Sequence, residues 1–237
     1  MRLYEDLARF WDLITPLEDH AEEAELILAL LQSVAQPLNT LLELGSGSGA
    51  IAHFLPPSIQ ATLVDRSPQM LEISHARNPS QSHVCSDILT LDLNTRFDAV
   101  LMHDAVMYLQ SESELIRALE VACAHCRPGG AILFIPDLVR EDFHSGHTLV
   151  GGGDTPEESA RLTEWHWDPN PNDDQFQVEF SLLLRTGSTV ECIHESHTMS
   201  FFSRTRWEAI FSQANLTPIA IDLAAGFPIG TPFLARR

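Results

Sequence analysis

The sequence predicts an α/β protein, a central and mostly parallel sheet with helices on both faces and an antiparallel strand insertion after the fifth strand. Three observations predict it. Short apolar stretches alternate with amphipathic ones from residue 40 to residue 135, the rhythm of strands joined by crossover helices. A glycine-rich loop, Gly45-Ser46-Gly47-Ser48-Gly49, follows the first of these strands. Polar residues (Glu43, Asp65, Asp87, His103 and Asp137) recur at the carboxyl ends of otherwise apolar strands, where open α/β sheets bind ligands.

Residues 3–14 and 19–35 read as helices; Ala21, Ala24, Leu26, Ile27, Leu30 and Leu31 recur at helical spacing with acids opposite. Pro37 ends the second. A strand over 40–44 runs into the glycine loop and a short helix that ends near Pro56. A strand over 61–64 ends at Asp65, and a helix follows over 68–77. The third strand, 83–85, precedes Asp87; the fourth, 97–102, ends at His103. An amphipathic helix over 111–126 is broken by Arg127-Pro128-Gly129-Gly130, and 131–135 is the fifth strand. Residues 138–175 are rich in Gly, Pro and Asp and read as loops around aromatic strands over 162–167 and 176–184. The turn at 185–188 makes a hairpin with 189–199. A helix over 204–214 and a strand over 219–223 resume the first pattern. One domain thus divides into an N-terminal helical lid (1–36), a core (37–137), an antiparallel cap (138–200) and a C-terminal helix with the last strands (201–237).

The chain has 237 residues and a formal net charge of -19, with 33 acids against 14 bases. Every base is Arg, so lysine Schiff-base chemistry and a Walker-type phosphate loop are excluded. The acidic surface argues against nucleic acid and anionic membrane as partners. No apolar run reaches the ~18 residues of a membrane helix, the first residues carry acids, and four scattered Cys fit a reducing compartment. A cytoplasmic location is expected. Cys123 and Cys126 close a helix and have no second pair, which points to packing. On a strand His194 and His197 face opposite sides and cannot share a metal. No metal is expected.

The glycine loop alone admits two readings. Its amides can approach a ligand anion, and Gly45, Gly47 and Ala50 with Asp65 about 20 residues on satisfy a dinucleotide-binding pattern. Three features favour another reading: Glu43 on the strand before the loop, the turn Ser86-Asp87-Ile88 after the third strand, and Arg127-Pro128-Gly129-Gly130 before the fifth. Together these resemble the class I S-adenosylmethionine-dependent methyltransferases over residues 40–136, and more loosely over the whole chain. The stretch Leu101-Met102-His103-Asp104-Ala105-Val106-Met107-Tyr108-Leu109, with the N-terminal Leu3-Tyr4-Glu5-Asp6-Leu7-Ala8 and Trp11, is similar to small-molecule members, including aminosugar N-methyltransferases. Relatives often have Tyr where this chain has His20.

The resemblance implies a Rossmann-like fold, S-adenosylmethionine as cofactor, S-adenosylhomocysteine as product, and residue roles. Gly45, Ser46 and Gly47 pass under the methionine part, and Glu43 organises the loop or meets the amino group. Asp65 accepts from the ribose hydroxyls. Arg66 and Met70 lie over the adenine. Asp87 accepts from its amine, with Ile88 on the ring. Met102 and His103 lie beside the methyl group, and Tyr4 and Trp11 belong to the lid. Methyl transfer needs mainly positioning and desolvation, with a base for the nucleophile's proton; His103 is the candidate. Asp137 and two cap tryptophans, Trp165 and Trp167, are candidate substrate contacts. Alternation puts both Trp on one strand face, where they either wall a pocket or bury against the sheet. The expected partner is a small-molecule acceptor methylated at N or O; a homodimer is compatible with this reading. The rival readings are a nicotinamide-dependent oxidoreductase, a noncatalytic S-adenosylmethionine-binding module and, more weakly, a protein or nucleic-acid methyltransferase.

Overall fold

The computed structural model describes residues 1–221 and 230–237. Seven strands form the central sheet: β1 (Thr40–Leu44), β2 (Gln60–Asp65), β3 (Ser82–Cys85), β4 (Phe97–His103), β5 (Cys126–Ile135), β10 (Thr217–Pro218) and β11 (Phe233–Arg236), in the order β10-β11-β5-β4-β1-β2-β3. The five from β1 to β5 pair in parallel, and β11 is antiparallel to both of its neighbours. Burial of both faces makes these strands continuously apolar. Alternation sorts them. Leu42, Leu44, Val100, Met102, Ile132 and Phe134 pack in one cluster with Leu115 and Leu119 of α5 (Glu112–His125) and Trp207 of α6 (Arg204–Gln213). Leu41, Ala99, Leu101 and Leu133 pack in the other with Ile27 and Leu31 of α2 (Ala21–Val34) and Ile51 of α3 (Ala50–His53).

The insertion is a second, four-stranded antiparallel sheet: β6 (Thr148–Gly151), β7 (Glu158–Trp167), β8 (Gln175–Thr186) and β9 (Thr189–Ser200), paired in sequence order. Its inner face, led by Phe176, Val178, Phe180 and Leu182, packs on Leu3, Leu7, Phe10 and Ile14. The N-terminal segment therefore lies between the cap sheet and the core.

Four expectations are corrected. Residues 3–14 are two 3-10 turns (Arg2–Tyr4 and Ala8–Phe10) and the short α1 (Trp11–Ile14) rather than one helix. Tertiary partners take backbone groups that a helix would use: the Leu3 amide donates to Glu195 and the Tyr4 carbonyl accepts from Ser67 Oγ. Residues 148–151, expected as loop, form an edge strand on β7. The break at 127–130 is absorbed inside β5 as a register shift between the partners of Phe97 and Ala99. The strand expected over 219–223 is not seen in its described part, 219–221; the pairing with β11 falls just before it, at β10, and Asp222 and Leu223 lie outside the described residues.

Candidate active site

A cleft of about 420 Å³ opens over the carboxyl ends of β1, β2 and β4. Its walls include Glu43, Gly45, Ser46, Gly47, Asp65, Arg66, Met70, Asp87, Ile88, His103, Tyr4 and Trp11, so most residues singled out from sequence meet at one site. Met102 does not reach it. It is fully buried on the opposite face from His103, because neighbours on a strand point to opposite sides.

The glycine loop is tied down from below. Gly45 and Ser46 both donate their amides to the Val64 carbonyl, at 2.8 and 2.9 Å, and Gly47 donates to Asp65 Oδ2 at 2.9 Å. Those three amides are spent inside the protein and are not free to cradle a pyrophosphate, which removes the physical basis of the dinucleotide reading. Gly45 has φ +75° and its α-carbon faces the Ala105 side chain, so a side chain there would be strained in backbone and blocked in space. Asp65 Oδ1 also accepts from the Ser67 amide at 2.8 Å, and Ser67 Oγ caps α4 (Pro68–Arg77) by accepting from Met70. Asp87 uses Oδ1 to accept from the Leu89 amide at 2.8 Å. Each acid keeps acceptor capacity toward the cleft.

Parity brings a charged group together beneath the start of α2. Glu43 and His103 share strand faces with Leu41 and Leu101, the faces covered by α2, and meet Glu23 there. His103 Nε2 lies 2.8 Å from Asp104 Oδ1 and 3.2 Å from Glu23 Oε1. His20 Nδ1 lies 2.7 Å from the other oxygen of Glu23. Burial pulls the His103 pKa down, but Asp104, Glu23 and Glu43 outweigh it and raise the imidazole to about 9. Glu43 is 3% exposed and its Oε2 has no hydrogen-bond partner. Burial, only partly offset by His103, pushes its carboxyl up to about 8. Partial desolvation works against the Asp104 charge, although its side chain is 59% exposed, and His103 outweighs it and holds the carboxyl well below the usual carboxylate range.

A second network joins the cleft to the cap. Tyr4 and Tyr108 share a hydrogen bond at 2.7 Å between their hydroxyls, Tyr108 Oη meets His197 Nδ1 at 2.8 Å, and His197 Nε2 meets Glu195 Oε1 at 2.8 Å. Glu195 then holds the Leu3 amide at 3.0 Å. Burial raises the pKa of both phenols, which stay neutral. Arg77 joins the lid to the loop, donating to Asp12 Oδ1 at 2.6 Å and to the Ser48 carbonyl at 2.9 Å.

The two cap tryptophans are elsewhere. Trp165 and Trp167 do share a face, stacked with ring centroids 6.0 Å apart, but it is the outer face of the cap sheet. Trp165 is 45% exposed, Trp167 donates to Glu179, and neither lines the cleft, so they neither wall the pocket nor bury against the sheet. Asp137 is not on the main cleft wall; its carboxyl adjoins Asp104. His194 and His197 face opposite sides, as alternation requires: His194 meets Glu179 on the outer face and His197 is buried. Sequence reading assigned no role to Tyr108, Glu195 or Glu164 and weighed His197 only against a metal. A phenol five residues after the His103 strand tip was a readable hint of the first.

The residues present fit S-adenosylmethionine. The buried, unpartnered oxygen of Glu43 suits an ammonium, Asp65 suits vicinal hydroxyls, and the closed loop leaves room for a ligand without phosphate beneath it.

Residues 41–130 match the family model described as a methyltransferase domain. The chain is 27% identical over 233 residues to dTDP-3-amino-3,6-dideoxy-alpha-D-glucopyranose N,N-dimethyltransferase of Streptomyces fradiae, covering 95% of this chain and 88% of the relative. Among solved structures, DesVI of Streptomyces venezuelae superposes with a TM-score of 0.81 at 22% identity, covering 92% of each chain. CalS10, an amino pentose methyltransferase from Micromonospora echinaspora solved with S-adenosylmethionine bound, gives 0.77 at 21% identity, covering 92% of this chain and 91% of that one.

Proposed function

Because this chain is a class I S-adenosylmethionine-dependent methyltransferase, we propose that its cleft methylates an amino nitrogen of a small molecule, with His103 as the base. Bound there, the cofactor supplies a methyl group on a sulfonium sulfur, already activated toward an amine lone pair. Glu43 would hold the ammonium end and Asp65 the ribose hydroxyls. Asp87, Ile88, Arg66 and Met70 would hold the adenine. Tyr4 and Trp11 close the lid side and exclude water, which strengthens every charge interaction inside. His103, in its neutral form, would take the proton that the methylated nitrogen gives up.

The observation that carries the base assignment is the contact of His103 with Glu23 and Asp104 at the strand tip on the cleft wall. An ordinary imidazole is a poor base for an alkylammonium ion. One raised to about 9 is matched to an amine and exchanges a proton with it readily. The names of the sequence relatives, N,N-dimethyltransferases of amino sugars, support nitrogen over oxygen. A buried carboxylate under the loop serves no purpose in the nicotinamide reading.

The test is release of S-adenosylhomocysteine in the presence of a panel of small amines and matched alcohols. Turnover with amines that rises with pH toward about 9 in the native enzyme, and falls at least tenfold in His103→Asn with cofactor affinity retained, is the expected result. Turnover confined to alcohols removes the nitrogen assignment; an unchanged His103→Asn profile removes the base.

A further inference from the structure

Two ionisable residues stand where apolar side chains would serve the fold better. Glu195 and His197 lie on the inner face of β9, between Ile193 and Met199 and opposite Phe180 and Val178. Their side chains are 13% and 1% exposed, and the His197 ring lies 4.8 Å, centroid to centroid, from that of Phe180. A carboxylate–imidazole pair withdrawn from water offsets its own desolvation only when its hydrogen bonds are made. Here they are made, and they lead one way. Glu195 Oε2 accepts from the Leu3 amide at 3.0 Å, and Oε1 meets His197 Nε2 at 2.8 Å. His197 Nδ1 meets Tyr108 Oη at 2.8 Å, and Tyr108 Oη meets Tyr4 Oη at 2.7 Å. Both phenols line the cleft together with His103.

The donors and acceptors in this chain fix its direction. A carboxylate only accepts, so the hydrogen between Glu195 and His197 belongs to Nε2. A neutral imidazole has one N–H, so Nδ1 is bare and accepts from Tyr108. The Tyr108 oxygen, its hydrogen spent, accepts from Tyr4. Tyr4 has then used its single hydrogen inside the protein, and its oxygen has no other side-chain partner among the described residues. The chain therefore ends at the cleft in a lone pair. It ends near the strand tip, because Tyr108 closes the turn Ala105–Tyr108 that follows His103 and Asp104. An amine N–H accepted by Tyr4 leaves the nitrogen lone pair free to be aimed at a methyl group.

One isosteric change reverses the direction. In Glu195→Gln the side-chain oxygen must face the Leu3 amide, which only donates, and the NH2 group faces His197 Nε2. The imidazole then carries its hydrogen on Nδ1 and donates to Tyr108, Tyr108 donates to Tyr4, and the Tyr4 hydrogen turns into the cleft against the amine N–H. Every hydrogen bond of the chain is kept, and only its direction changes.

Resting on the methyl-transfer reading above, we propose that Glu195 is a positioning residue for the reaction: through His197 and Tyr108 it sets the direction of the chain, so that Tyr4 meets the acceptor nitrogen as a hydrogen-bond acceptor.

The test reads tautomer and turnover separately. Histidine side chains are labelled with nitrogen-15 in the full chain saturated with S-adenosylhomocysteine, and the His197 signals are assigned by their loss in His197→Gln. Native His197 should be neutral with its hydrogen on Nε2, and Glu195→Gln should move that hydrogen to Nδ1. Kinetics use S-adenosylmethionine with the fastest amine of a panel holding glucosamine, benzylamine and spermidine. Glu195→Gln should lower kcat/KM for that amine about tenfold, with S-adenosylhomocysteine affinity close to native. In the Tyr4→Phe background, where the hydroxyl at the end of the chain is gone, Glu195→Gln should have no further effect. A native His197 with hydrogen on Nδ1 or on both nitrogens, native turnover in Glu195→Gln, or an undiminished loss in the Tyr4→Phe background overturns this inference alone. Turnover of no amine by the native enzyme overturns the nitrogen reading and this inference with it.

Discussion

The imidazole of His103 lies 3.2 Å from the carboxylate of Glu23, a contact between the last residue of β4 and the first turn of α2. It exists because strand parity turns His103 toward the helix that covers that face. With Asp104 and Glu43 it sets the proton affinity of the site.

That affinity makes stability pH-dependent in a defined sense. A histidine raised in the folded state to about 9 stabilises the fold fully below its unfolded value of about 6.5 and loses that contribution as pH rises through 9. Glu43, raised to about 8, acts in the same direction, because the folded state keeps a proton that the unfolded chain releases above about 4.5. The ligand-free melting temperature should therefore fall between pH 6.5 and 9. Glu23→Gln should lower the His103 pKa, read by NMR titration, and flatten the upper part of this fall. A melting temperature that rises over this window contradicts the charge assignment.

Cofactor binding should be linked to the Glu43 proton. At pH 7 the free protein keeps this carboxyl largely protonated, and an incoming ammonium needs it ionised. S-adenosylhomocysteine binding should release a proton to buffer at pH 7 and tighten about tenfold per pH unit until pH approaches 8. Calorimetry in buffers of different ionisation enthalpy reads this directly. Glu43→Gln should bind more weakly and lose the proton release; identical proton release in that variant would assign it to another group.

Asp65→Ala carries two losses. The ribose contact proposed for Asp65 would be worth roughly 1.5–3 kcal/mol as a charged hydrogen bond, and the Gly47 and Ser67 amides lose their acceptor. Affinity for S-adenosylhomocysteine should drop by at least tenfold, and the melting temperature should fall as well. A folded variant with native affinity would free Asp65 from the ribose role.

Tyr108→Phe removes the middle of the network from Tyr4 to Glu195 and leaves His197 Nδ1 without its partner in a buried setting. The expected cost is about 1–3 kcal/mol by denaturant unfolding. The N-terminal segment should also become more susceptible to proteolysis, since Glu195 anchors the Leu3 amide through the same chain. Native stability would show that these hydroxyls are satisfied by water.

Much of this molecule is legible in its sequence, for identifiable reasons. The parallel strands announce themselves because burial on both faces makes them uniformly apolar, and the acids at their ends stand out against that background. The glycine loop was legible as a loop but not as a closed one; the acceptors of its amides, Val64 and Asp65, are set by strand pairing. Alternation correctly placed Trp165 and Trp167 together, yet left open which face is wet. The register supplies the answer: Trp165 lies opposite Glu179 and Trp167 opposite Gln177, while Phe176, Val178 and Phe180 turn inward. The Tyr4–Tyr108–His197–Glu195 network joins the lid, the core and the cap, and no local pattern links those segments.

The four tryptophans occupy three optical environments. Trp207 is 1% exposed in the core, Trp165 and Trp167 stack on the outer cap face, and Trp11 stands on the cleft wall beside Tyr4. A water-soluble collisional quencher reaches the outer pair first and leaves Trp207 bright. Emission that survives the quencher and still changes on titration with ligand then comes from the lid, giving an unlabelled readout of cleft occupancy.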